Sequence, residues 1–371
     1  MITVDFRRIF LLELKVERVE EYLSEVYKTP VKVLRIVPLR AAQAVDLKGF
    51  GYGVPYAIQC SVKGEVKRLV LETMRPEGFG HDHFSDRAGI LLWQHSVFNK
   101  LPRHVRSVDV GSFLTDGEKL KSLGDCAELF LVTEFVDGSP YHVDLDRITQ
   151  TGSVTDRDEE RCVALSDYLV GIHSLKKDDR ALYVRAVRDL FGHGECIFGL
   201  TDSYPRKLDY VDEKFFVQFE KDCIDWRWRL KHQSHRLSQV HGDFHPWNVL
   251  FNEGIEFTVL DRSREEYGEP ADDVAAMTIN YIFYSLQAFG EMNGPFGRLF
   301  ILFWKNYLDE SGDEEILKLI QPFYAWRSLV IASPLWYPNL TDGVRKKLFR
   351  FARRMLETKT FEYERVEGYL K

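Results

Sequence analysis

One stretch constrains this chain more than any other: His241-Gly-Asp-Phe-His-Pro-Trp-Asn248, then Val249-Leu-Phe251, a polar turn at Asn252-Glu-Gly254, and the run Ile255 to Asp261. Two short apolar runs around a glycine turn predict a β-hairpin. Centred near Gly254, it pairs residues whose numbers sum to about 508, so Asn248 and Asp261 face each other at its open end. An amide oxygen and a carboxylate are hard donors that suit Mg²⁺, with water and phosphate oxygens completing an octahedron. Asp243 lies five residues before Asn248 on a loop, in place to accept a hydroxyl proton. Two metal ligands and a base converging on one point meet the needs of phosphoryl transfer, where catalysis is positioning and charge stabilisation.

Length and composition narrow the setting. The 371 residues suffice for two domains or one large two-lobed unit. Apolar residues at 45% and charged residues at 29% exclude wholesale disorder. A net charge of −7 is the wrong sign for binding nucleic acid through bulk charge. No apolar run approaches the ~18 residues of a membrane span, and the Ile9–Leu14 run is too short and too charged for a signal peptide. The expectation is a soluble, cytoplasmic protein. Five scattered cysteines (Cys60, Cys126, Cys162, Cys196, Cys223) form no CxxC pair and are expected as free thiols. Met1 to Gly138 holds 19 basic and 19 acidic residues, so the whole −7 sits in Ser139 to Lys371. An acidic second part suits a cationic or polyhydroxyl small substrate, and equally a merely soluble surface.

The pattern along the chain changes once. An amphipathic helix over Val16–Tyr27 precedes strands at Val31–Val37, Tyr56–Val62 and Val66–Thr73, the last two joined by a turn at Lys63-Gly64. A helix is predicted from Ser85, as N-cap, to Asn99, then strands at Val105–Phe113 and Leu129–Phe135. From Asp158 the apolar spacing is helical, interrupted only by the hairpin. The reading is an α+β chain with an N-terminal lobe over 1–138 and a mainly helical C-terminal lobe over 139–371, divided just after Asp137-Gly138.

The motif His-Gly-Asp-x-His-Pro-x-Asn, an Asp thirteen residues on, and Gly268-Glu-Pro-Ala-Asp-Asp273 resemble the aminoglycoside phosphotransferase and choline kinase family, relatives of the protein kinases. The resemblance covers most of the chain. It implies a protein-kinase-like two-lobed fold, a small antiparallel sheet followed by a helical lobe, with a nucleotide between the two. It implies transfer of the ATP γ-phosphoryl group, with Mg²⁺, to a hydroxyl of a small molecule such as an amino sugar, another sugar or an amino alcohol. Asp243 would be the catalytic base, Asn248 and Asp261 the metal ligands, and Asp273 a brace for the catalytic loop. His241 and His245 would be scaffold. The loop Gly49-Phe-Gly51-Tyr-Gly53 would cover the phosphates, because glycines let backbone N–H groups approach them. Backbone groups of Glu134 and Val136 would pair with the adenine edge. A nucleotide-binding pseudokinase acting as a regulator, or a protein kinase, remain the alternatives, although no protein-kinase Ala-Pro-Glu segment is present.

One departure stands out. Kinase-like proteins carry a phosphate-binding lysine on the third strand, and here Glu72 occupies that position. The helix that follows has no glutamate but carries Arg87, fifteen residues on, so a reversed pair is expected, with Arg87 gripping phosphate and Glu72 orienting it. Lys48 is a further candidate for the phosphate contact. His81-Asp-His83 has metal-like spacing without other ligands and is read as a loop. Phe323, Tyr324, Trp326, Trp336 and Tyr337 are read as core, and the basic residues flanking Val344, Leu348, Phe351 and Met355 as a solvated helix face.

Overall fold

The computed structural model describes residues 14–39, 55–74, 80–100, 102–114, 119–262, 264 and 266–371. The chain divides into two compact units, Met1–Thr133 and Glu134–Lys371, where sequence analysis puts the boundary at Gly138.

In the first unit, α1 (Val16–Tyr27) forms because Val19 and Leu23 fall one turn apart and are buried. It ends at Lys28, left-handed at φ 52°, whose N–H returns to the Glu25 carbonyl. The strands β1 (Val31–Pro38), β2 (Tyr56–Val62) and β3 (Glu65–Leu71) make an antiparallel sheet in that order. The β2–β3 hairpin closes on the pair Val62–Glu65. Both of its turn residues have positive φ, 52° at Lys63 and 87° at Gly64, as the twist of a two-residue hairpin demands. Val19, Leu23, Val31, Val33, Ile58, Cys60 and Val62 form the small core.

Three expectations change in this part of the chain. α2 spans Phe84–Phe98 and starts from His83, not Ser85. His83 and Asp86 satisfy each other's backbone N–H groups in a capping box, which places Ser85 inside the first turn. The strand expected over Val105–Phe113 shrinks to β4 (Gly111–Phe113), paired with β5 (Leu120–Ser122). Leu129–Phe135 forms no strand. Phe130, Leu131 and Phe135 are 90%, 87% and 89% exposed, since an apolar run makes a strand only where a neighbouring strand takes its hydrogen bonds.

The second unit is mainly helical. After β6 (Ser139–Pro140) come α3 (Tyr141–Thr151), α4 (Asp156–His173), α5 (Arg180–Gly192), α6 (Ile197–Asp202) and α7 (Glu213–Leu230). Four short strands follow: β7 (Ser238–Gln239), β8 (Val249–Phe251), β9 (Phe257–Val259) and β10 (Tyr267–Gly268). The chain finishes with α8 (Ala271–Phe289), α9 (Gly294–Ser311), α10 (Gln321–Ala332), α11 (Asp342–Glu357) and α12 (Val366–Leu370). β8 pairs with β6 and β9, and β7 with β10. α8 is buried almost all round and contacts α9 and α10, which explains its near-continuous apolar sequence. Val344, Leu348, Phe351 and Met355 of α11 are buried as expected. Arg345 is not on the solvated face: it is 3% exposed and donates to the carbonyls of Ala332 and Tyr337. The fold is α+β, a small antiparallel-sheet lobe and a mainly helical lobe in the kinase-like order.

Candidate active site

The loop between β7 and β8 carries the motif residues, and the second unit holds it by its backbone. Gly242 has φ +86°, a left-handed conformation that glycine adopts without strain. The N–H groups of His241 and Gly242 donate to the two carboxylate oxygens of Asp273, at 2.7 and 2.8 Å. Asp273 stands in the first turn of α8 and is fully buried. Burial raises its carboxyl pKa, but the bond to His173 Nε2 (3.2 Å), the charge of that ring and the loop N–H groups outweigh this and hold it below the ordinary range. His173 Nδ1 in turn meets the Tyr307 hydroxyl at 2.9 Å. The brace expected of Asp273 is therefore present, and it satisfies two backbone N–H groups of the loop.

His241 packs inward at 3% exposure, and its Nδ1 accepts from the Asp243 N–H at 3.3 Å. Burial lowers its pKa, which favours the neutral ring. His245 Nδ1 accepts from the Trp247 N–H, which turns Nε2 to within 3.5 Å of Asp243 Oδ2. Both histidines support the loop.

Asp243 is mostly buried, its side chain 16% exposed. Burial pushes its carboxyl upward, but the His245 ring and the Arg327 guanidinium hold it well below the usual carboxylate range. Arg327 is the group the sequence reading missed. It comes from α10, and its Nη1 donates to Asp243 Oδ1 at 2.6 Å while Nη2 donates to Asp272 Oδ1 at 2.8 Å. A lone arginine in the apolar helix Gln321–Ala332 was the available signal, since a buried guanidinium needs carboxylate partners. Sequence spacing did not say which carboxylates.

The hairpin has the expected register: Val249–Val259, Leu250–Thr258 and Phe251–Phe257. The Leu260 N–H donates to the Asn248 carbonyl at 2.8 Å, which carries the pairing to the open end. Asn248 Nδ2 donates to the Asp243 carbonyl at 3.1 Å. This fixes the amide orientation and leaves Oδ1 as the acceptor atom. Asp261 follows Leu260 with φ 54°, a left-handed turn that aspartate tolerates. An amide oxygen and a carboxylate at one end of a hairpin, beside an ionised Asp243, fit a hard divalent cation.

Behind the hairpin, Arg161 of α4 holds the turn. Its Nε donates to the Gly254 carbonyl (2.8 Å), Nη2 to the Asn252 carbonyl (3.0 Å) and Nη1 to Asp144 (2.6 Å). Its guanidinium also lies 4.3 Å from the Phe251 ring centre.

Gly49, Gly51, Gly53 and Lys48 lie outside the described residues. Glu134 and Val136 lie outside any helix or strand, Glu134 exposed and Val136 half-buried. Arg87 does not pair with Glu72. Its Nη1 donates to the carbonyls of His81, Asp82 and His83 before α2, a local use that competes with a partner fifteen residues away. Trp326 is core as expected, but Trp336 is 61% exposed.

The description "Phosphotransferase enzyme family" matches residues 91–293, more than half of the chain. No curated protein sequence matches. Solved structures to which this chain is similar include the Plasmodium vivax ethanolamine kinase (14% identity, 89% of this chain and 82% of that one, TM-score 0.35). An amicoumacin kinase is similar at 16% identity over 86% and 90% of the two chains, TM-score 0.42. A spectinomycin phosphotransferase is similar at 12% identity over 96% and 99%, TM-score 0.28. The family match carries the assignment.

Proposed function

This chain belongs to the phosphotransferase enzyme family, and on that premise we propose that it moves the γ-phosphoryl group of ATP, with Mg²⁺, to a hydroxyl of a small molecule. The supporting observation is the way the motif residues are tied together: Asn248 bonds the Asp243 carbonyl, and the Leu260 N–H before Asp261 bonds the Asn248 carbonyl. In this reading Asp243 orients the acceptor hydroxyl and takes its proton as the oxygen bonds to the γ-phosphorus and the bond to ADP breaks. A carboxyl held ionised is always ready to accept that hydrogen bond. Asn248 and Asp261 would hold Mg²⁺, which supplies charge neutralisation for the phosphate oxygens. Gly49, Gly51, Gly53, Lys48 and Arg87 are proposed for the phosphates, and the backbone of Glu134 and Val136 for adenine. Amino sugars, other sugars and amino alcohols are the proposed acceptors.

A pseudokinase is the second reading, favoured by one observation: Glu72 stands where a lysine is expected, and Arg87 already serves backbone carbonyls. Mg-ATP turnover over a panel of hydroxyl compounds separates the two. Phosphotransfer predicts turnover on at least one acceptor and a loss of about 10²–10⁴-fold in Asp243→Asn. Tight ATP binding without turnover on any acceptor, unchanged by that substitution, selects the pseudokinase.

A further inference from the structure

We infer that Arg327 is a positioning residue for phosphoryl transfer, fixing the plane of the Asp243 carboxylate so that Oδ2 is the oxygen offered to the acceptor hydroxyl. The inference rests on the phosphotransfer reading of the site. Asp273 braces the loop, but within the loop its bonds reach only the backbone N–H groups of His241 and Gly242. They leave the terminal torsion of Asp243 unrestrained, and that torsion has a broad minimum for a carboxylate. A second contact has to set it. Arg327 Nη1 supplies one, 2.6 Å from Oδ1, as a charge-assisted bond of short length.

The guanidinium is itself held at both terminal nitrogens and on one face. Nη2 donates to Asp272 Oδ1 at 2.8 Å and lies 3.4 Å from the Gly242 carbonyl, and the group stacks 4.0 Å from the Trp326 ring centre. At 7% exposure it has little freedom to move. With Oδ1 occupied, Oδ2 remains, facing His245 Nε2 at 3.5 Å. The planar fork matters: an ammonium is a point donor and reaches one carboxylate well, not two.

The test compares four variants in the full chain: Arg327→Met, Arg327→Lys, Asp272→Asn, and the double variant Arg327→Met with Asp272→Asn. The double variant removes Asp272 together with its partner, so that this carboxylate is not left buried and unpaired, and Asp243 keeps His245 beside it. We expect kcat to fall about 100-fold in Arg327→Met and in the double variant, the cost of a misplaced reacting group. KM for Mg-ATP and for the acceptor should stay within about threefold of wild type, as expected when only transition-state geometry is lost. Arg327→Lys should recover part of the loss. Asp272→Asn, which leaves the Asp243 contact in place, should melt lower but lose far less kcat. Crystal structures of wild type and the double variant should show the Asp243 carboxylate turned. If kcat loss simply follows the loss of melting temperature across all four, or the Asp243 rotamer is unchanged, the inference is overturned. A wild type that phosphorylates no acceptor overturns the phosphotransfer reading instead, and the rotamer comparison still decides Arg327.

Discussion

Asp261 shows how a single residue's conformation bears on chemistry. It is exposed, stands one residue beyond the last paired position of the hairpin, and turns the chain through a left-handed φ of 54°. Arg262, the next residue, is tied by its guanidinium to the carbonyls of Val240 and Glu266. The turn is therefore held from the Arg262 side, not by the Asp261 carboxylate, which leaves that carboxylate for a ligand. Asp261→Ala should then leave the fold intact while removing one hard ligand and one charge. Mg-dependent turnover is expected to fall by about 10³-fold or more, several kcal/mol of transition-state stabilisation. Steady-state rates across a Mg²⁺ titration, with melting temperature as the control, check this. Near-wild-type rates at saturating Mg²⁺ would remove Asp261 from the ligand set.

At the scale of elements, what could be read from sequence depended on how local the determinants were. The β8–β9 register was legible because a Gly254 turn between two short apolar runs leaves one pairing that keeps Phe251 and Val249 inward. Asp243, Asn248 and Asp261 were legible as a set because they flank that one hairpin. The start of α2 was misplaced because a histidine cap competes poorly, on propensity alone, with a serine two residues later, and the reciprocal bond to Asp86 decides it. Leu129–Phe135 was misread because composition signals a strand without supplying its partner. Arg327 was invisible for a different reason: 84 residues separate it from Asp243. The same non-local logic makes Arg161 the support of the hairpin that carries the proposed metal ligands. Arg161→Ala would break a largely buried pair with Asp144 and remove the side-chain donor to two turn carbonyls, at Asn252 and Gly254. It should cost about 3 kcal/mol of stability, read from denaturant unfolding. Substituting Asp144 as well should recover part of that loss. A cost below about 0.5 kcal/mol would mean the turn holds its shape without α4.

Across the whole molecule, the distribution of core residues decides what can fold by itself. The large core runs from Tyr141 to Leu370 and draws every one of its buried side chains from the second unit. The pairings of β6, β8 and β9, the Asp273 brace and the Arg161 clamp are likewise internal to that unit. In the first unit, seven buried residues make up the core among the described positions, a small share of what independent stability requires. Residues 134–371 expressed alone should therefore fold cooperatively, with native-like helix content and a single sharp thermal transition. They should not transfer phosphate, because Gly49, Gly51, Gly53 and Lys48, the residues proposed for the nucleotide phosphates, are absent from that piece. Far-ultraviolet and near-ultraviolet circular dichroism through a thermal ramp gives the answer. Helical signal without fixed aromatic signal, together with a broad transition and dye binding, would mean that the second unit alone cannot fix its own packing. A sharp transition with aromatic signal retained would place the determinants of this half of the fold within its own 238 residues, 134 to 371.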